Sequence, residues 1–444
     1  MLFSRVHRSM MVIVGLVLLV VGYVGWASVS ASASTGVNPE NYYLFTPLTA
    51  TDSYLMDDSG EIVHTWSSSY ISGKSAYLME DGTLLRTGET DNPHFTVGGK
   101  GGIVEAITPD NEIVWSFEYS NEQYRLHHDI EILPNGNILM IAWEKISGEE
   151  AIAAGRDPEK LTEGELWPDK VIEVNPETNE IVWEWRAWDH LVQDFDETKP
   201  NYGVVSEHPE LIDLNYNDLD YDADWHHVNG IAYNEELDQI MLTVHHFSEI
   251  WVIDHSTTIT EAAGHEGGIW GQGGDLLYRW GNPEAYGRGT EADQKLFVPH
   301  NGHWIAEGLP GAGNILIFNN GNGRLDENYS SIEEITPPVD GDGRYLRDSV
   351  TAYGPEVPTW QYVAPNRTDF YASFVSGVQR LANGNTLICS GPQGYFFEVT
   401  AEGETVWDYD SEEQIFRVRQ YDGDYGGVMA VLRPYMSYVP VVLR

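Results

Sequence analysis

The chain has 444 residues, with 69 acidic and 24 basic side chains and a formal net charge of −45. A charge of this size excludes nucleic acid and anionic membrane as partners of the folded part, because both repel an acidic surface. The 15 tryptophans, 25 tyrosines and 44 glycines favour many short strands joined by tight turns. The acidic residues are spread along the chain, so a halophilic protein and a generally acidic exported protein both fit the composition.

The N-terminus has the pattern of a targeting segment. Arg5 and Arg8 precede an apolar run at residues 10–27, and small residues follow up to residue 34. A signal peptide cleaved after Ala33 fits this layout, and so does an uncleaved anchor, since the run approaches the ~20 residues that span a bilayer. Both alternatives predict that residues 35–444 lie outside the cytoplasm, secreted or membrane-anchored, facing the periplasm or the extracellular side.

Two phrases alternate along the remaining chain. The first, of the type Glu-Ile-Val-Trp-x-aromatic, alternates apolar and polar positions as a half-buried strand does. Its six copies occupy residues 61–66, 112–117, 180–185, 275–280, 357–362 and 404–409. The second is a turn followed by an apolar strand, found at residues 81–85, 135–139, 238–242, 313–317 and 383–387. The fixed order of the two phrases predicts structural repeats of three or four antiparallel strands each.

Five repeats are complete, and the sixth must combine strands from both ends of the chain. We expect the N-terminal strand pair that ends at Trp66 to join C-terminal strands at residues 428–432 and 438–443. β-Propellers protect their edges by closing a ring in this way. The sequence therefore predicts an all-β, six-bladed β-propeller over residues 35–444, preceded by one N-terminal signal or transmembrane helix. A pair of β-sandwiches, the competing fold, does not explain the repeated order of phrases.

Histidines precede the turn-plus-strand phrase at matching places in three repeats. The innermost strand of each propeller blade lines the central channel, so residues at the start of that strand share one channel mouth. The residues at this place are Lys74, His128, His227, His300 and Ser376. A single histidine is most often structural, but three in the same register predict a common site. His245 and His246 lie on a strand predicted over residues 240–246, where alternation places them on opposite faces.

Basic side chains near the same mouth are candidates for binding an anion. Arg324 ends the loop at residues 319–324, Arg380 precedes the turn at residue 383, and Lys74 takes the place of the histidine in the first repeat. A planar guanidinium group suits oxyanions such as sulfate, phosphate or carboxylate. Surface salt bridges are the alternative role for both arginines.

These segments resemble the bacterial and archaeal arylsulfotransferase family, exported six-bladed propellers that move a sulfuryl group from one phenol to another. The resemblance covers most of the exported part and is carried by residues 127–137, 224–229, 299–300, 319–324 and 383–389. It implies that His227 and His300 are active-site histidines and that Arg324 binds sulfate. It also implies a two-step displacement in which a histidine nitrogen takes the sulfuryl group and then passes it to the acceptor. No cofactor is expected.

One functional position departs from the family. The family's nucleophilic histidine lies in the segment that here spans residues 366–371, where Thr368 stands about in its place. No histidine follows His303 in this chain. Either His128 or His300 has taken over as nucleophile, or this protein performs different chemistry. We predict catalytic roles for His128, His227, His300 and Arg324. Substrate contacts are predicted for His127, Asn229, Lys74, Arg380 and Thr368.

Three functions remain open at this point. The first is an arylsulfotransferase whose partners are small phenolic and sulfated molecules. The second is a metal site made by His128, His227 and His300, with hydrolytic activity from a metal-bound water. The third is a non-catalytic propeller that binds anions or partners at the cell surface. The pattern specifies no donor, acceptor, bound metal or oligomeric state.

Overall fold

The computed structural model describes residues 40–161, 163–216, 223–347 and 350–436. These residues form six four-stranded antiparallel sheets, the blades of a β-propeller, which we give from the inner to the outer strand. Blade 1 contains Ser72–Leu78, Leu84–Glu89, Gly102–Ile107 and Ile113–Glu118. Blade 2 contains Tyr124–Ile132, Ile138–Glu144, Asp169–Asn175 and Glu180–Arg186. Blade 3 contains Val228–Asn234, Gln239–Val244, Glu249–Asp254 and Tyr278–Trp280.

The other three blades follow the same pattern. Blade 4 contains His300–Trp304, Ile315–Asn319, Ser331–Ile335 and Trp360–Tyr362. Blade 5 contains Gly377–Arg380, Thr386–Ser390, Tyr395–Val399 and Thr405–Asp410. Blade 6 contains Ile415–Asp422, Asn41–Pro47, Asp52–Asp57 and Ile62–Ser67. The first strand of each blade contacts the first strand of the next blade around a ring. The predicted all-β, six-bladed architecture is therefore confirmed.

The sixth blade differs from its prediction. Its inner strand, Ile415–Asp422, pairs antiparallel with Asn41–Pro47, so that Gln420 lies opposite Tyr43. The strand predicted at residues 428–432 is wrong, because these residues belong to the helix Gly426–Met436. The strand predicted at residues 438–443 lies outside the described residues.

Helical spacing explains the C-terminal helix. Val428, Val431 and Leu432 are buried at the i, i+3, i+4 spacing of one helix face, whereas Met429 between them is exposed. The buried face packs against Leu78 and neighbouring apolar residues of blade 1. A short run of valine and leucine favours a strand by composition, and this packing overrides that preference.

Both repeated phrases occupy the same place in every blade. The tryptophan phrase forms the outermost strand of each sheet, and the turn-plus-strand phrase forms the second strand of blades 1–5. Trp66, Trp185 and Trp280 are almost wholly buried. Full burial of such a large apolar side chain stabilises the fold by about 1.5–3 kcal/mol. In blades 2, 3 and 6 the phrase therefore supplies a large aromatic side chain to the core, whereas Phe117 and Tyr409 at the matching places of blades 1 and 5 are half-buried.

The inner strands of four blades share a bulge at their start. The pairing register slips between Ser72 and Ala76, Leu126 and Ile130, Val228 and Gly230, and His300 and His303. Non-glycine residues with positive φ lie in three of these bulges, namely Lys74 (111°), His128 (51°) and Asn301 (51°), and His227 (53°) directly precedes the bulge of blade 3. A bulge bends its strand and changes the direction of side chains, and strained backbone of this kind concentrates at functional sites. The matching places of Lys74 and the histidines in the sequence thus correspond to a backbone geometry that repeats from blade to blade.

The helices and the short strands are connectors and insertions. The helices are Gly148–Ala154, Ile259–Ala262 and Gly426–Met436, and the 3₁₀ turns are Pro158–Lys160, Ala187–Asp189, Val205–Glu207, Pro283–Tyr286, Glu291–Asp293, Arg367–Asp369 and Gly391–Gln393. Two-stranded pairs join Ile146–Ser147 to Glu165–Leu166 and Leu191–Val192 to Ile212–Asp213. Within the described ranges, no helix has the length and apolar character to cross a bilayer. The targeting helix predicted at residues 1–34 lies outside them.

Candidate active site

Histidines from blades 2, 3 and 4 form one continuous cluster, at the starts of three inner strands and in the turn that follows Val244. Ring centroids are 4.6 Å apart for His128 and His227, 5.0 Å for His227 and His245, and 5.5 Å for His245 and His300. His246 adds a further contact with His227 at 4.9 Å. The structure therefore brings the three predicted catalytic histidines together, and we call these five residues the histidine cluster.

His227 is oriented by a carboxylate from its own motif. Its Nδ1 lies 2.5 Å from Oδ2 of Asp224, while Oδ1 of Asp224 accepts a hydrogen bond from Nε1 of Trp143 at 2.9 Å. Burial raises the pKa of Asp224, but the neighbouring His227 outweighs that effect and lowers it to about 2. Asp224 is thus ionised at neutral pH and fixes the tautomer of His227 with the hydrogen on Nδ1 and the lone pair on Nε2. The side chain of His227 is 15% exposed.

His300 has the same tautomer for a different reason. Its Nδ1 lies 2.7 Å from Oδ1 of Asn320, whose amide nitrogen donates to the carbonyl oxygens of Ala372 and Val375 at 2.7 and 2.9 Å. Those two hydrogen bonds use both amide hydrogens and leave Oδ1 as the acceptor that faces His300. Nδ1 of His300 therefore carries the hydrogen, and Nε2 is again the basic nitrogen.

His245 and His246 both lie beside His227, so the prediction that they point to opposite faces is wrong. The strand ends at Val244 and the chain turns through residues 245–248, which removes the alternation expected of an extended strand. Nδ1 of His246 lies 3.0 Å from the backbone carbonyl oxygen of Asp224, which can only accept. The turn thus adds two imidazoles to the cluster.

The imidazoles around His227 are uncharged at neutral pH. Burial is the main cause that lowers the pKa of His300 to about 3 and that of His246 to about 4, with further lowering from His227. Burial and neighbouring histidines also hold the pKa of His128 and His245 well below the usual value. The cluster therefore offers neutral nitrogen atoms, which can act as nucleophiles or proton acceptors.

His127 supports His128 from behind. Its Nδ1 lies 2.9 Å from Nδ1 of His128, its Nε2 lies 2.8 Å from Oδ1 of Asp169, and its ring stacks on Trp143 at 4.0 Å. It is fully buried among these groups. This environment indicates a positioning role for His127, although the sequence predicts substrate contact.

Lys74 stands at the blade 1 position that matches His128. Its ammonium donates to the carbonyl oxygen of Ser72 at 3.1 Å. Burial lowers the pKa of Lys74 to about 8, and the positive charges of Lys100 and Arg125 contribute, while Glu89 acts against them. The charge of Lys74 disfavours protonation of His128. A cation near the cluster is thus present at neutral pH.

Gly99 closely covers His128, a contact the sequence does not reveal. The backbone N–H of His128 donates to the Gly99 carbonyl oxygen at 2.9 Å. A Cβ atom at position 99 would lie 1.8 Å from Cε1 of His128, and φ is +81° there. Only glycine fits position 99, so Gly99 is required for the position of His128, a catalytic candidate.

Sequence reasoning also missed Phe416 and Arg417, because the strand that carries them was not recognised as the inner strand of blade 6. The ring of Phe416 lies 6.1 Å from that of His128 and 6.4 Å from that of His300. Nη2 of Arg417 donates to Oδ2 of Asp129 at 2.9 Å. The alternation of apolar and basic residues at 415–419 was the available signal.

The two arginines predicted at the site, Arg324 and Arg380, bind groups outside the histidine cluster. Arg324 donates to the Tyr329 carbonyl oxygen at 3.0 Å and to Oγ of Ser331 at 2.7 Å, with its guanidinium 4.1 Å from the Tyr329 ring centroid. Arg380 forms an ion pair with Glu334 at 2.7 Å. Neither arginine contacts the histidine cluster among the described residues.

Thr368 and Asn229 are placed very differently. Thr368 is exposed on the 3₁₀ turn Arg367–Asp369. Asn229 is buried and donates to the Pro299 carbonyl oxygen at 2.9 Å, which links blade 3 to the start of blade 4. This contact indicates a structural role for Asn229.

The spacing of donor atoms does not support the alternative prediction of a metal site at His128, His227 and His300. Within the described residues, only one group of three or more potential ligands has its donor atoms within 4.8 Å of one another. That group is His190, His265 and Asp275, outside the cluster.

The comparison with protein families identifies the family of this chain. The sequence model of the family described as Arylsulfotransferase (ASST) matches residues 32–422. The chain belongs to the arylsulfotransferase family. Membership supports, at the level of the family, a sulfotransferase that acts on phenolic and sulfated substrates. The resemblance inferred from the histidine and arginine motifs is thereby confirmed.

Other comparisons add little to the family assignment. No curated protein matches the sequence of this chain. A protein of unknown function from Bacteroides caccae is 12% identical, with a TM-score of 0.47 over 86% of this chain and 98% of its own. Virginiamycin B lyase from Staphylococcus aureus is 12% identical, with a TM-score of 0.38 over 86% of this chain and 87% of its own. Both TM-scores are below 0.5, so they carry no argument about function.

Proposed function

We propose that this member of the arylsulfotransferase family moves a sulfuryl group from an aryl sulfate to an acceptor phenol through His227. The observation that carries the proposal is the contact of 2.5 Å between Nδ1 of His227 and the ionised carboxylate of Asp224. A carboxylate on Nδ1 raises the basicity of the opposite nitrogen and fixes the ring orientation, as in other catalytic histidine–carboxylate pairs.

The first step is attack by Nε2 of His227 on the sulfur of the donor. An N–S bond forms, the S–O bond to the aryl group breaks, and the donor leaves as a phenolate. Charge in the sulfuryl group spreads over three oxygens, as it does in phosphoryl transfer, so nearby donors and cations stabilise it. Lys74 is one candidate. Arg417 is the other, because its buried Nε has no hydrogen-bond partner among the described residues.

The second step returns His227 to its initial state. The acceptor phenol loses its proton to a neutral imidazole, its oxygen attacks the sulfur, and the N–S bond breaks. His300 and His245 are uncharged at neutral pH and can accept this proton, but burial makes both weak bases, so they hold it only transiently. The proton then passes to the departed phenolate or to water, which balances the reaction.

Access favours His227 over the two histidines that the sequence suggests as nucleophiles. Gly99 lies directly on the ring of His128, and Nδ1 of His128 faces His127. His300 is only 3% exposed. His227 is more accessible, and its partner is a carboxylate where that of His300 is a neutral amide. With His227 as the nucleophile, the protein needs no histidine at Thr368, which stands about where the family's nucleophilic histidine is expected.

The test is capture of the sulfated enzyme. Purified protein is mixed with a nitrophenyl sulfate, quenched at alkaline pH and analysed by peptide mass spectrometry for the addition of one SO₃ group. We expect the label on His227, no label in His227→Ala, and donor turnover only when a phenol acceptor is present. The exposed His94 provides the control His94→Ala, which should behave as wild type. A label on His128 or His300 would refute the assignment to His227, and an enzyme that consumes no donor would refute sulfuryl transfer.

We also propose that residues 1–34 export the protein, as a cleaved signal peptide or as an anchor. The arginines before the apolar run support this proposal. Cell fractionation and N-terminal sequencing of the mature protein test it. Recovery of the intact chain from the cytoplasm would argue against export.

A further inference from the structure

Three potential metal ligands meet outside the histidine cluster. His190 follows the 3₁₀ turn Ala187–Asp189 beyond blade 2, whereas His265 and Asp275 belong to the long connection between the third and fourth strands of blade 3. Nδ1 of His190 and Nδ1 of His265 each lie 2.8 Å from Oδ1 of Asp275. The two rings are perpendicular, at 89°, with centroids 5.9 Å apart. Two imidazole nitrogens thus converge on one carboxylate oxygen.

The hydrogen bonds of His190 determine what its Nδ1 offers. Nε2 of His190 lies 2.8 Å from the Ala262 carbonyl oxygen, which can only accept a hydrogen bond. Nε2 therefore carries a hydrogen, and in the neutral ring Nδ1 has a lone pair that faces the Asp275 oxygen. Two acceptors at hydrogen-bond distance repel each other unless a proton or a cation lies between them. A metal-binding histidine commonly donates its other ring N–H to a backbone carbonyl, as His190 does.

The surroundings fix His190 but leave one side of the group open. Trp185 stacks parallel to the His190 ring, at 4° and 5.7 Å, and its Nε1 donates to the Gly274 carbonyl oxygen at 2.7 Å. A Cβ atom on Gly274 would lie 2.6 Å from Nε2 of His190, so glycine is required there. The His190 side chain is fully buried, while that of His265 is 59% exposed. An ion can therefore enter from the side of His265 and keep a water molecule as a further ligand.

We propose that His190, His265 and Asp275 bind one Zn²⁺ ion. Two imidazole nitrogens and one carboxylate oxygen match the ligands that zinc takes in proteins, with a water in the fourth position. The ion would fasten the connection at residues 259–275 to the segment at 187–192. Because these residues belong to two different blades, the expected role is to stabilise the fold. Sulfuryl transfer at His227 does not depend on it.

The test measures zinc in protein purified without a histidine tag. We expect wild type to bind one equivalent and to gain thermal stability from added zinc, with the gain reversed by a chelator. His265→Ala should lower zinc affinity by more than about 10-fold, since loss of even an outer-shell partner costs about 10- to 100-fold. His94→Ala removes another exposed histidine and should bind zinc as wild type does. Asp275→Asn should weaken binding while preserving the size of the side chain.

Substitution with Co²⁺ gives an independent readout through its visible absorption, which should appear in wild type and be lost in His265→Ala. Two results would overturn the proposal. Wild type that binds no zinc would refute the site. Zinc binding that survives in His265→Ala but is lost in His227→Ala would place the ion in the histidine cluster instead.

Discussion

Asp224 and His227 are joined at 2.5 Å between Oδ2 and Nδ1, three positions apart in the chain. Trp143 from blade 2 donates to the other oxygen of the same carboxylate at 2.9 Å. The carboxylate is thus held by two donors from different blades, and it holds the imidazole in turn. The ring of His227 is fixed before any substrate enters.

The first prediction concerns this pair. Asp224→Asn should lower kcat by about 10²- to 10⁴-fold, because an amide can donate to Nδ1 and move the ring hydrogen to Nε2, the attacking atom. Steady-state assays with an aryl sulfate and a phenol measure the effect. Asp238 forms a comparable pair with Nδ1 of His255 at 2.7 Å in blade 3, so Asp238→Asn is a matched control that should retain kcat. Equal activity of Asp224→Asn and wild type would contradict the assigned role.

The second prediction concerns the charge of Lys74. Its pKa is lowered to about 8, so the ammonium is present below that pH and is lost as pH rises through it. If this cation stabilises the sulfuryl group, kcat/KM should fall with an apparent pKa near 8. In Lys74→Arg the fall should disappear from this range, because a guanidinium stays protonated. Lys74→Met should lower kcat/KM and remove the fall. A pH profile that is the same in wild type and Lys74→Met would show that another group titrates.

The third prediction compares two adjacent glycines. Gly99→Ala should displace His128 and destabilise the fold by about 1–3 kcal/mol, because φ is +81° and the new Cβ atom would overlap the ring. Gly98→Ala meets no atom within 4 Å and should leave both stability and kcat close to wild type. Urea unfolding and donor turnover measure the two effects. Similar behaviour of the two variants would mean that the loop gives way without cost.

The fourth prediction concerns the ion pair between Arg417 and Asp129 at 2.9 Å, which links blade 6 to blade 2. Both side chains are buried, so Arg417→Met leaves an unpaired carboxylate and should cost about 3–5 kcal/mol in the free energy of unfolding. The double variant Arg417→Met, Asp129→Asn should lose less than Arg417→Met alone. Urea unfolding compares the two variants, and a double variant that is less stable than the single one would oppose this explanation.

The blades follow from the sequence because their signals are local. The tryptophan phrase and the Asn-Gly or Asp-Gly turns are short stretches that predict the strands, the turns and their order along the chain. The structure places every copy as predicted. Lys74, His128 and His227 each lie in or directly before a bulge and have positive φ, which explains why the histidine register was informative. Each repeat uses the same local geometry at the same place.

What the sequence does not reveal depends on contacts between distant segments. Residues 428–432 look like a strand until their buried face is seen against blade 1. Phe416 and Arg417 belong to the site only because Ile415–Asp422 is the inner strand of blade 6, a pairing across most of the chain. The pair of His190 and Asp275 is separated by 85 positions, and no motif joins them.

Blade 6 combines strands that are far apart in the sequence, and this affects the order in which the protein can fold. A ribosome makes Asn41–Pro47 before blades 1–5, and it makes the partner strand Ile415–Asp422 only after them. Until then Asn41–Pro47 presents unpaired N–H and C=O groups, which are a template for pairing with other chains. The nascent protein therefore has an unpaired strand edge throughout the synthesis of blades 1–5. Protection of this edge by chaperones during translation should therefore raise the yield of folded protein.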